Sequence, residues 1–202
     1  MAKPLLHDGC YMIDIRPAAE RTVGLVTAVT AEQLARPTPC PDAVVGDLVD
    51  HLGVFAVRFI AAARKATDGP WPPAPRPSGG NLEADWRERL SNDLLTLADA
   101  WQDPRAWEGT TFAGSIELPA DVAGLVALDE LVVHGWDIAA ATGQPYAPAA
   151  PEIEAATAFV TSFQAPRDGR LFGPIVAVPG DATALERLLG LTGRDPAWRP
   201  HA

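Results

Sequence analysis

The stretch that most limits the fold is PADVAGLVALDELVVHGWDIAAAT at 119–142, which is nearly apolar all round. Pro119 suits the first helical position and Gly143 the left-handed stop that follows a helix, so the segment predicts one helix roughly 36 Å long. A helix without a polar face belongs in the middle of a bundle. It is not a membrane span, because Asp121, Asp129, Glu130, His134 and Asp137 are too many ionisable groups for hydrocarbon. Buried in protein instead, those groups must find partners.

Partners for such a helix are present on either side. Ile15, Ala19, Thr22, Leu25/Val26 and Val29 keep helical spacing and predict a first helix over about 14–28. Thr30 and Gln33 have capping-box spacing and start a short helix that the prolines at 37, 39 and 41 end. Leu48, His51/Leu52, Phe55, Phe59 and Ala62/Ala63 form one face of a second helix over about 45–66, closed by Gly69-Pro70. PWPPAPRP at 70–77 is an extended, exposed connector whose shortening should leave any metal content unchanged. Leu82, Trp86, Leu90, Leu94, Leu97 and Trp101 give a third helix over about 82–101, with Asn81 as its cap.

Residues 102–117 are rich in turn formers and admit a short hairpin before the long helix. After it, Ile153, Ala156, Val160 and Phe163 predict a fifth helix, Ile175–Val178 a short extended piece, and Asp181 the cap of a last helix over about 182–190. The expected fold is all-α: a four-helix bundle with short additional helices and minor extended segments. Residues 1–12 read as a loose N-terminal arm, 13–196 as a single domain and 197–202 as a tail.

In 202 residues the chain has 16 basic and 26 acidic side chains, a net charge of −10 that repels phosphate backbones and anionic lipid. Nucleic acid and membrane are therefore excluded as expected partners. Two cysteines, Cys10 and Cys40, are too few for a cysteine-based metal cluster, and nothing at the start resembles an export signal, so a cytoplasmic protein is expected. Charge and composition set no oligomeric state; a homodimer is compatible with them.

Of four histidines, His7 and His201 lie near the ends, leaving His51 on the second helix and His134 on the fourth. Glu130 and His134 are four residues apart and stack on one helical face, with Asp137 next along the stripe. If the second and fourth helices are neighbours, His51 joins them and two imidazoles plus one carboxylate face a divalent metal with coordination positions left open. The spacing alone fits satisfied core histidines better, with Glu130 as a buried acceptor for one of them. Asp137 suits the support of an imidazole N–H better than direct ligation. Cys40 in its proline-pinned loop reads as structural, Trp136 as core and Arg58 as a solvated arginine, although each has a functional alternative: nucleophile, pocket wall and anion contact.

The ordered set TPC at 38–40, VGDLVDHL at 45–52 and ELVVHGWDI at 130–138 resembles the mycothiol-dependent maleylpyruvate isomerase branch of the DinB-like superfamily. FGPIVAVP at 172–179 and LTGRDP at 191–196 further resemble a short metal-binding subfamily without the isomerase's extra C-terminal domain. The resemblance implies a DinB-like bundle, with metal ligands at His51, Glu130 and His134. Zinc is the first expectation, and nickel or iron shares the same donors. It also implies a small-molecule thiol, mycothiol, and an electrophilic substrate, hence a metal-dependent thiol transferase or isomerase; the alternative is a non-catalytic metal-binding protein with a sensor, stress or carrier role. The chain departs from the pattern at Ala43 and Val44, where that family often has Trp and then Ser or Thr. Asp42 is then expected to cap the second helix.

Overall fold

A computed structural model describes residues 5–7, 10–66, 71–162, 167 and 171–200, with side chains from Met12 onward. The ends of the second and fifth helices expected at Gly69-Pro70 and Phe163, the His7 ring, the Cys10 thiol and His201 lie outside what is described. Four helices form the bundle: α1 (Arg16–Ala28), α2 (Val45–Ala63), α3 (Trp86–Ala100) and α4 (Ala120–Thr142). Both α1 and α2 pack against α3 on one side and α4 on the other, so α2 and α4 are neighbours. Two further helices, α5 (Ala150–Ser162) and α6 (Ala184–Leu191), extend the packing outward, α5 on α4 and α6 on α5. Leu25, Val26, Leu52, Leu94, Leu97, Leu128 and Leu131 meet in the buried centre. Among the described residues no helix is long and apolar enough to cross a membrane.

α4 takes the central place its composition demands, and its glycines are sites of close approach. A Cβ on Gly124 would lie 2.4 Å from the Trp107 ring, and one on Gly135 would lie 2.9 Å from the Tyr146 hydroxyl, so both positions admit an aromatic ring against the helix. Gly143, at φ 73°, stops the helix in the left-handed region. The turn-rich segment before it forms a hairpin of two short strands, Thr110–Ala113 paired antiparallel with Ile116–Pro119. Another hairpin, Leu5–His7 with Cys10–Met12, lies within the stretch read as a loose arm. At the other end, Trp198 packs against the core.

Three helix starts differ from expectation, two of them because other residues answer the exposed backbone donors. Asp42 lies exposed at φ 60°, and the Val44 N–H donates instead to Asp47 Oδ2 at 3.1 Å. Asn81 donates its amide to Asp50 Oδ2 at 2.8 Å, joining a 3-10 turn to α2, and α3 begins five residues later at Trp86 without a side-chain cap. At α6 the cap is Thr183, whose hydroxyl accepts the Glu186 N–H while Glu186 Oε2 accepts the Thr183 N–H at 2.6 Å. Asp181 stays exposed. The piece at 175–178 is not a strand; one backbone bond, Val176 N–H to Gly190 O, holds it to α6.

The proline-rich segment is exposed from Pro72 to Pro77 and fastened at both ends. Trp71 N–H donates to Gly114 O and Arg58 to Pro72 O, while Ser78 and Gly79 N–H donate to Asp50 and Asp47.

Candidate metal centre

α2 and α4 bring His51, Glu130 and His134 together. The Nε2 atoms of His51 and His134 lie 2.9 and 3.2 Å from the same oxygen, Glu130 Oε2, and the two rings meet edge to face with centroids 5.0 Å apart. One donor atom from each residue lies within 4.8 Å of the others, and the trio lines a cavity of about 460 Å³. Helical periodicity dictates half of this, since the four-residue step on α4 stacks Glu130 under His134. Helix packing supplies the rest by presenting His51 from α2.

Behind the trio stands a buried relay. His134 Nδ1 lies 3.0 Å from Asp137 Oδ2, which also accepts from Arg194 Nη2 at 3.1 Å, while Arg194 Nε reaches Asp137 Oδ1 at 3.4 Å. Asp137 thus supports the imidazole and is not presented to the cavity as a ligand in the first trio. Cys40 borders the same cavity, with its sulfur within 4.8 Å of donor atoms of His134 and Asp137.

The electrostatics follow from this geometry. Burial opposes the Glu130 carboxylate, but hydrogen bonds from His134 and His51 hold it well below the usual carboxylate range. Burial also opposes a charged His134, yet its bonds to Asp137 and Glu130 win and lift it to about 9. Burial works against the Asp137 anion too, and the Arg194 charge overcomes it, keeping that carboxyl low. Cys40 goes the other way: burial, reinforced by Asp137, pushes its thiol up to about 11, so it is protonated at neutral pH. Asp129 is buried beside the site with Oδ1 lacking a hydrogen-bond partner among the described residues, and burial raises it to about 8.

Two sequence candidates lie elsewhere. Arg58, two turns along α2 from His51, donates to Pro72 O, stacks its guanidinium 5.4 Å from the Trp71 ring and lines another cavity. Trp136 lines a separate cavity with Trp198 and Tyr146. The sequence reading missed Arg194, Gly193 and Asp47 as walls of the cavity that His51, Glu130 and His134 line. For Arg194 a signal existed in LTGRDP, but nothing local to that motif says that it reaches Asp137 on α4.

Comparison with known proteins places this chain among relatives. Residues 15–139 match the mycothiol maleylpyruvate isomerase N-terminal domain. Two proteins of Mycobacterium tuberculosis, one from each of two strains and both named only as uncharacterized, are 28% identical over 129 residues. That match spans 63% of this chain and 64% of theirs. Crystal structures of the mycothiol-dependent maleylpyruvate isomerase, one of them a His-to-Ala variant, share the fold with a TM-score of 0.55. They are 16% identical, over 73% of this chain and 65% of the isomerase.

Proposed function

Because the chain belongs to the mycothiol maleylpyruvate isomerase N-terminal domain family, we propose that it holds a divalent metal, zinc in the first place, on His51, Glu130 and His134. We further propose that it serves a low-molecular-weight thiol of mycothiol type as a transferase or isomerase. The observation that carries the metal is the double engagement of His134. Its Nδ1 faces Asp137 and its Nε2 faces Glu130, both of them acceptors. A neutral imidazole has one N–H to give. The second contact therefore calls for a cation at Nε2, either a proton or a metal ion, and the His51 nitrogen at the same carboxylate oxygen favours the metal. Nickel and iron suit this nitrogen and oxygen set as well.

A bound divalent cation supplies Lewis acidity, lowering the pKa of a thiol that reaches it so that a thiolate forms at neutral pH. The chain's own residues do the remaining work. Asp137 keeps the His134 N–H engaged and its ring fixed. Cys40, held as a thiol by its burial, does not compete as a nucleophile for an electrophile in the cavity. Leu48, Pro41 and Pro77 give the wall an apolar side against which an organic thiol and its substrate can lie.

A non-catalytic metal-binding role has one observation in its favour: Ala43, on the cavity wall, stands where the resembling family often has Trp. Elemental analysis of untagged protein purified without added metal, followed by thiol consumption assays with a maleylpyruvate-like and an alkylating substrate, separates the readings. We expect about one divalent ion per chain and turnover that requires both thiol and metal. Metal without turnover supports the binding role, and protein that takes up no metal overturns the proposal.

A further inference from the structure

Resting on the metal-centre reading above, we propose that Arg194 is a positioning residue for His134, acting through Asp137 from a turn that lies outside the family-matched residues 15–139. Asp137 is wholly buried, and Arg194 is the cation that grips it through both carboxylate oxygens. A planar guanidinium fixes a carboxylate in rotation as well as in charge, which a lysine ammonium does not. With its plane set, Asp137 Oδ2 holds His134 Nδ1 and directs Nε2 toward Glu130. Arg194 Nη1 donates to Thr192 O at 3.1 Å, so the guanidinium is itself anchored.

The turn is built for this placement. Gly193 follows α6 at φ 86°, in the left-handed region, and a Cβ there would lie 2.8 Å from the Gly173 Cα. The 192–194 turn can therefore lie against 173, and Gly173, Thr192, Gly193 and Arg194 all face the cavity of the metal ligands. All three ligands come from α2 and α4, yet the device that orients one of them comes from the C-terminal part of the chain. Tethering α6 to α4 is the simpler role for the same contacts, and it predicts a loss of stability alone.

The test uses the full chain with Arg194→Ala and Arg194→Lys. Zinc affinity is measured by competition with a chromophoric chelator, and ligand geometry by the visible spectrum of the cobalt-loaded protein. We expect zinc affinity to fall about 10–100-fold in Arg194→Ala, the range typical when support of a ligating histidine is lost. We expect the cobalt bands to shift, and millimolar methylguanidinium, entering by the cavity, to restore both. Arg194→Lys should keep the fold and still bind zinc more weakly than wild type. Variants that melt lower but retain wild-type zinc affinity and cobalt spectrum overturn the inference, as does an Arg194→Ala chain that no guanidinium restores while the Lys variant binds normally. Failure of the underlying reading looks different: the wild type binds no zinc, or His134→Ala binds as well as it does.

Discussion

Glu130 is the residue whose charge both histidines share, since its Oε2 lies 2.9 Å from one imidazole nitrogen and 3.2 Å from the other. Replacing it with Gln keeps the shape and removes the negative charge. In metal-loaded protein the neutral amide oxygen is a weaker donor, so zinc affinity should drop by about 100-fold or more. In metal-free protein the amide oxygen still accepts from the imidazoles. The loss is then the difference between a charged and a neutral hydrogen bond, about 1 kcal/mol, or about 2–4 °C of melting temperature for a chain of this size. Chelator competition and melting of both proteins check the two halves separately. If Glu130→Gln binds zinc as wild type does, Glu130 is an acceptor for core histidines and not a ligand. The pairing of Glu130 with His134 was readable because both lie on one helix at a fixed step. Arg194 was not, because its bond to Asp137 spans a separation in sequence that only the packing of α6 closes.

At the level of elements, the long apolar helix was legible from periodicity and composition, which directly record what a helix buries, whereas the α2–α4 contact entered as a condition that the packing of the bundle meets. Helix starts were less so. Asp42, Asn81 and Asp181 each have cap chemistry, but capping depends on backbone angles and on which neighbour arrives first, and Asp47 and Thr183 do that work. The proline-rich segment was legible as an exposed connector; its fastening by Asp47 and Asp50 was not, although Pro77 then borders the cavity of His51, Glu130 and His134. A prediction follows from the separation of fastened ends and free middle. Changing Pro73 and Pro75 to Ser, which leaves Trp71, Pro72 and 77–79 intact, should leave zinc stoichiometry unchanged. It should also destabilise the chain by about 1–2 kcal/mol through the added freedom of the unfolded state. Denaturant unfolding and metal analysis of the double variant test this, and loss of zinc would make the middle of the segment part of the centre.

For the whole molecule, the centre joins parts of the chain that the backbone keeps far apart. His51 comes from α2, Glu130 and His134 from α4, and the Asp137–Arg194 contact adds the turn after α6. An ion held by the first three therefore acts on the bundle as a cross-link between neighbouring helices, and its binding free energy is added to that of folding. At free zinc about 100 times the dissociation constant the gain is about 2.7 kcal/mol. With about 2–4 °C per kcal/mol for a chain of this length, the melting temperature should rise by about 5–10 °C. A strong chelator should remove the whole rise. His51→Ala should abolish it as well, although the metal-free variant should melt only a few degrees below metal-free wild type: it loses one hydrogen bond to Glu130, about 1 kcal/mol, while the His51 side chain is a third exposed and leaves no sealed void. Calorimetry of the two proteins with zinc and with chelator measures all four temperatures. Wild-type melting that ignores both additions would leave His51 and His134 as histidines satisfied by Glu130 and Asp137 alone, and the bundle as one that needs no ion to hold its helices together.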